Sequence, residues 1–279
     1  MGASGRGGAR TRRQHRDADH ARWPHRPPRR QRRLALPRPQ RDSRPGRNAH
    51  RHGYGDLSRA AGDDAQDTQD ALADFVASAR RATDAGLDGV EIHAANGYLL
   101  HQFLSPASNQ RTDQYGGSPD NRARFVVEVV KAVAEAVGPQ RVSLRISPEH
   151  NIQDTFEHDR DDVPATYGSL LDQLRPLGLA YLSVLHHEPA GDLVQELDRR
   201  FAGKLIANTG FASVTSHEEA AQLIEAAHVD AVAIGRGLIA NPDLVERWQG
   251  GHPENEPRPE LFYAHGPEGY TDYPFLQAD

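Results

Sequence analysis

No cysteine occurs among the 279 residues, which excludes a disulfide scaffold, a thiolate metal site and a thiol nucleophile. No run approaches the roughly 18 apolar residues of a membrane-spanning helix. The Arg-rich start also lacks the apolar stretch of a secretory signal, so the expected compartment is the cytoplasm. Lysine is absent from the first 50 residues, where 15 Arg face only Asp17, Asp19 and Asp42, a balance of +12. Residues 51–279 hold 18 basic and 36 acidic side chains, or −18, so the whole-chain charge of −6 hides a steep asymmetry. One reading of it is a basic arm for nucleic acid. Such arms usually mix in Lys, and nucleic acid is not the partner expected here.

The chain divides near residue 66. Residues 1–66 are crowded with Arg, Pro, Gly and His and show neither the helical nor the strand apolar period, so they bury too little to offset ordering entropy. Residues 67–279 are different. Leu72, Phe75, Val76 and Ala79 recur at helical spacing, and Gly86 is placed to stop that helix. Strands are expected at Gly89–His93, Val142–Ser147, Ala180–Leu185, Lys204–Asn208 and Asp230–Ile234. Between them, Ser118-Pro119 caps a helix carrying Phe125, Val126, Val129, Val130 and Val133 inward, and Gly138-Pro139 ends it. Leu170, Leu171 and Leu174 mark another helix, Ser216-x-x-Glu219 opens one through Ala227, and Asn241-Pro242 opens the last. Alternating strands and helices predict an α/β fold with a parallel sheet, either doubly wound or a (β/α)8 barrel. Five strands are legible, where a closed barrel needs eight.

In parallel α/β folds chemistry collects where strands end. The first strand ends Glu91-Ile-His93-Ala-Ala-Asn96-Gly-Tyr98, placing an imidazole, a carboxamide and a phenol within six residues. Two donors can polarise a carbonyl oxygen, and a phenol can protonate the carbon beside it. The plainer alternative is a core histidine with capping partners. Arg145 lies inside an apolar strand, where a guanidinium is costly unless it faces an anion, an electron-rich ring or a structural ion-pair partner. The strand ends Asn208-Thr209-Gly210 and Gly235-Arg236-Gly237 suit a phosphate, although turns need glycine anyway. His186, His187 and Glu188 raise a metal, but adjacent histidines on a strand point to opposite faces, so a solvated loop is expected and no metal. His150, His158, Asp159, Asp161 and Asp162 are read as a second solvated loop, with a lid role open to it.

Together these stretches resemble the old yellow enzyme family of FMN-dependent ene-reductases. The resemblance runs from about residue 70 to the C-terminus, through DGVEIHAANGYLLHQFLSPASNQRTDQYGGSPDNRARF, VSLRISP, IANTGF, AIGRGLIANPDL and FYAHGPEGYTDYP. It implies a (β/α)8 TIM barrel, here incomplete, whose five strands correspond to the family's fourth to eighth. It implies FMN as cofactor and NAD(P)H as reductant, with the flavin passing hydride to the β-carbon of an activated alkene in an enone or nitro compound. His93 and Asn96 would hold the substrate oxygen, and Tyr98 would protonate Cα. Arg145 would face the flavin pyrimidine edge, Thr209, Gly210, Gly235 and Arg236 the phosphate, and Phe262 and Tyr263 the substrate side. A homo-oligomer is compatible with this reading. Other FMN barrels that rely on a catalytic Cys or on Cys-held iron–sulfur clusters are excluded by composition.

The family's first three strands should supply a Thr or Cys near flavin N5, a Gln to the pyrimidine and a segment like QLMHAGRxAHP. None is legible in residues 1–66. A non-catalytic remnant is therefore the alternative function. Five strands alone would leave two sheet edges open and favour aggregation. Asp19–Pro28, DHARWPHRPP, admits codons that read IMHAGRIAHP when shifted by one base. The expectation is that residues 1 to about 60 translate such a gene out of frame. Sequencing the gene tests this: codons 19–28 give the family segment in the shifted frame, and any other peptide there refutes it.

Overall fold

The computed structural model describes residues 65–210 and 214–276. The Arg-rich segment, with the out-of-frame reading and the nucleic-acid arm, lies outside the described residues. Helix α1 (Ala65–Asp84) precedes strand β1 (Val90–Ala94), then α2 (Leu99–Leu104), α3 (Pro119–Val137), β2 (Val142–Ile146), α4 (Asp162–Leu174) and β3 (Leu182–Leu185). There follow α5 (Asp192–Phe201), β4 (Leu205–Asn208), α6 (His217–Glu225), β5 (Ala231–Val232), α7 (Arg236–Ala240) and α8 (Leu244–Gly250). All five expected strands form, most of them one or two residues shorter than expected. No described helix is long and apolar enough to cross a membrane.

Local chemistry sets the helix ends. Gly86, at φ +93°, takes the left-handed turn after α1 that a residue with Cβ resists. The Ser118 hydroxyl accepts from Asn121 N–H with Pro119 in the first turn, and Ser216 accepts from Glu219 N–H, as the capping patterns require. Helices α2, α5 and α7 went unread. The first two are short and partly polar, yet Leu100, Phe103 and Leu104 of α2 and Val194, Leu197 and Phe201 of α5 are buried.

The sheet order β1-β2-β3-β4-β5 is all parallel and strictly sequential. A doubly wound sheet reverses its order at a switch point, whereas a barrel wall never does, so the order selects the barrel alternative. Among the described residues, β1 and β5 each keep one unpaired edge. Helix α3 packs on β2 and α5 on β3. Val142, Leu144 and Ile146 of β2 and Leu182 and Val184 of β3 point into that helix layer and are buried. Phe103 and Phe125 meet there at 4.6 Å between ring centroids.

One buried cation ties the layer together. Arg122 on α3 donates through Nε to the Leu104 carbonyl at the end of α2 (3.0 Å), and through Nη2 to Asp162 (2.6 Å) and Thr166 (2.7 Å) on α4. It also bonds the Gly117 carbonyl. Removing the buried Arg122 leaves the half-buried Asp162 carboxylate and two main-chain carbonyls without their donor, at a cost toward the lower end of the roughly 3–5 kcal/mol of a broken buried pair. Arg122→Met is therefore expected to lower unfolding free energy by about that amount, measured by urea denaturation, whereas the exposed Arg199→Met changes it by less than about 1 kcal/mol.

Candidate functional site

The strands are one-sided. In a parallel ladder the register partners point the same way, and His93 on β1, Arg145 on β2 and Ser183 on β3 are partners in turn. Glu91, His93, Ser143, Arg145, Ser183 and Asn208 therefore share the sheet face turned away from the helices. The Arg145 guanidinium donates to Ser183 Oγ at 2.9 Å. Among the described residues no carboxylate lies within ion-pair distance of it, so the structural ion pair weighed above is not what holds it. A half-buried cation that no described carboxylate pairs with stands beside the imidazole of the neighbouring strand.

His93 is held neutral. Burial depresses its pKa first, and the Arg145 charge and His101 add to the effect. A neutral imidazole offers one N–H donor and one acceptor nitrogen. Beyond β1 the chain turns through Asn96 at φ +58° and Gly97 at φ +77°. The turn admits no side chain at Gly97, where a Cβ would stand 2.6 Å from Gln153 Cβ and 2.8 Å from the Ile152 carbonyl. Asn96 N–H donates to Ser147 Oγ at 2.8 Å, while its buried side-chain Oδ1 has no hydrogen-bond partner among the described residues. Tyr98 begins α2, is 54% exposed, and sets its ring 5.4 Å from that of His93. The structure thus brings His93, Asn96, Tyr98 and Arg145 to one end of the sheet.

Sequence reasoning missed the support beneath this loop. His101 is fully buried on α2; its Nδ1 accepts from Gly97 N–H at 2.9 Å, which leaves Nε2–H to donate to Glu157 Oε1 at 3.2 Å. Tyr167 O–H donates to the same oxygen at 2.9 Å, and Glu149 N–H donates to Glu157 Oε2 at 2.8 Å. Burial and the Glu157 charge push the Tyr167 phenol well above its usual range. The segment read as a solvated loop is thus anchored inward. His158, Asp159 and Asp161 are exposed as expected, but Glu157 and Thr155 are buried, His150 and Asp162 are half-buried, and Asp162 pairs with Arg122. A buried His in LLHQFL was the available signal.

At the far strands, Arg236 donates to the Gly210 carbonyl at 2.9 Å, joining the ends of β4 and β5. Thr209 Oγ1 lies 3.3 Å from Thr215 Oγ1, and a Cβ on Gly235 would meet nothing within 4 Å. Asn208 Oδ1 is a second buried oxygen without a hydrogen-bond partner among the described residues. Phe262 and Tyr263 are not brought to the His93 cluster by any hydrogen bond or ring contact among the described residues, and Tyr263 is 96% exposed. His186 and His187 correct the opposite-face expectation: β3 ends at Leu185, strand alternation stops there, and the two rings lie 4.3 Å apart.

A profile of the NADH:flavin oxidoreductase / NADH oxidase family matches residues 59–255. The chain is 43% identical over 205 residues to a Leishmania infantum protein named "Probable flavin mononucleotide-dependent alkene reductase", covering 72% of this chain and 54% of that one. It is 40% identical over 215 residues to 12-oxophytodienoate reductase 1 of Oryza sativa subsp. japonica, covering 73% and 54%. The structure of morphinone reductase in complex with tetrahydroNAD superposes with a TM-score of 0.70 at 41% identity, covering 76% of this chain and 57% of the other. The chain spans about half the length of the curated relatives it matches.

The depressed His93 pKa has a sign in stability. The unfolded chain binds the proton more readily, so this contribution is complete above pH 6.5, the ordinary histidine value, and is lost as pH falls through the lower folded value. NMR titration should find His93 titrating below 6.5. In Arg145→Gln it should move part of the way back up, since burial, the larger cause, remains.

Proposed function

The chain belongs to the NADH:flavin oxidoreductase / NADH oxidase family, and on that premise we propose that its polar sheet face is the working side of an FMN-dependent ene-reductase. The substrates proposed are α,β-unsaturated carbonyl or nitro compounds, with NAD(P)H as reductant. The observation that carries this reading is the set His93, Asn96, Tyr98 and Arg145, assembled at one end of the sheet with a cation that no described carboxylate neutralises.

The residues fit a flavin nucleotide. Arg145 would sit against the pyrimidine edge, where a fixed cation favours a reduced, anionic ring. Thr209, Gly210, Gly235 and Arg236 would hold the phosphate at the ends of β4 and β5. Phe262 and Tyr263 are assigned to the substrate side by family resemblance alone. When bound, FMN supplies the hydride for the β-carbon of the alkene. His93, neutral, donates one hydrogen bond to the substrate oxygen, and the Asn96 amide donates a second. Polarisation by this pair makes the β-carbon electrophilic and stabilises charge developing on oxygen. Tyr98, exposed at the start of α2, delivers a proton to the α-carbon. His101 and Glu157 hold the turn that carries Asn96 and Tyr98. The cytoplasm is the compartment proposed for the reaction.

A second reading, a chain without turnover of its own, is favoured by the two unpaired edges of the five-stranded sheet among the described residues. Titrating the full chain with FMN, followed by absorbance and fluorescence quenching, separates the two. Stoichiometric binding with NADPH-dependent reduction of 2-cyclohexenone supports the enzyme. In that case Tyr98→Phe should slow alkene turnover by about 100-fold or more while flavin reduction by NADPH stays unchanged. A folded chain that binds no FMN leaves the non-catalytic reading.

A further inference from the structure

We propose that Glu149, His186 and His187 form a binding site for a divalent transition-metal cation, zinc being the best fit, that clamps the loops following β2 and β3. The ligand-bearing atoms of these three side chains lie within 4.8 Å of one another. Two of them are already at ligand spacing, His186 Nε2 standing 3.1 Å from Glu149 Oε2. The third is the exposed imidazole of His187, whose ring centroid is 4.3 Å from that of His186. Closing a tetrahedral shell, with metal–ligand bonds of about 2.0–2.1 Å, needs only a small inward swing of this exposed ring.

The surroundings are those a metal histidine needs. His186 is buried, and its Nδ1 lies 3.1 Å from the Glu188 carbonyl. Donation of Nδ1–H to that carbonyl leaves the Nε2 lone pair facing Glu149 and the shared point, the outer-shell arrangement that orients metal-bound imidazoles. Glu188 N–H lies at the same distance from Nδ1, so the metal-free ring can take the other tautomer and give Nε2–H to Glu149. The His186 main chain is pinned too, its N–H donating to the Asn208 carbonyl on β4 at 3.1 Å. Glu149 is held at φ +59° by its own N–H bond to buried Glu157. Two imidazoles and one carboxylate suit zinc and its neighbours, whereas calcium and magnesium prefer all-oxygen shells. Water would complete the fourth position, open toward solvent on the His187 side.

The test uses the full chain, free of any histidine tag and stripped with chelator, without added FMN, so its result is independent of the flavin reading. Titration calorimetry with Zn2+ should show one saturable site of higher affinity than any other in the chain, and Co2+ should develop the visible bands of a low-coordinate site. Zinc should raise the thermal midpoint. His187→Ala and Glu149→Gln should each weaken the site at least about tenfold, while His187→Ala keeps the zinc-free midpoint because its side chain is exposed. Absence of saturable binding, or zinc binding that survives both substitutions unchanged, overturns the proposal and leaves His186 and Glu149 as a hydrogen-bonded pair.

Discussion

The alternation of residues along β1 to β4 is the constraint on which the rest depends. Parallel strands covered on both faces read as unbroken apolar runs. Here the polar residues of VEIHA, VSLRI, LSVL and LIAN fall on one face, so that the other is sealed under helices while this one carries His93, Arg145, Ser183 and Asn208 beside the apolar Leu185 and Ile206. A register slip of one residue on β2 would send Arg145 into the helix layer and Leu144 or Ile146 onto the polar face. The burial of Val142, Leu144 and Ile146 forbids it. Ordinary hydrophobic packing thus fixes the position of the Arg145 guanidinium beside His93.

Rigidity at the strand ends comes from a different source. The turn through Asn96 and Gly97 is left-handed at both residues and would not persist by local preference alone. Its amide is held by His101, His101 by Glu157, and Glu157 by Tyr167 and the Glu149 amide. In this low-dielectric setting each bond strengthens the next, and an unpaired member would be costly. Glu157 therefore couples the loop after β2 to the loop that presents Tyr98. The same residue restrains Glu149, so one buried carboxylate orders both the His93 cluster and the Glu149–His186 pair.

Much of this was legible in the sequence because it is encoded locally. Capping at Ser118 and Ser216, the stop at Gly86 and the apolar stripe of α3 each follow from a few adjacent residues. The grouping of His93, Asn96 and Tyr98 is local as well, which is why the motif stands out before any fold is known. Helix α2 was not legible, since six residues with a histidine and a glutamine carry too short a period. Its burial depends on α3, the next helix, which lies outside any window short enough to show the α2 period. Glu157 was hidden for the opposite reason: in EHNIQDTFEHDRDD it is one acid among many, and only tertiary contact with Tyr167 and His101 singles it out. His186 and His187 misled because the alternation rule holds only while the strand continues, and β3 stops one residue earlier.

The unpaired edges of the sheet bear on the chemistry through Arg145. Desolvation is what makes a fixed cation effective at stabilising charge, and Arg145 on the polar face is only half-buried. A closed barrel would wall that face off from bulk water, strengthening the field of Arg145 at a bound ring and lowering the pKa of His93 further. With the five described strands, the field is more strongly screened, although the register that sets Arg145 beside His93 and the turn that carries Tyr98 are already in place. The grouping of His93, Asn96, Tyr98 and Arg145 can therefore persist in this chain while the strength of the Arg145 field depends on what covers the open face.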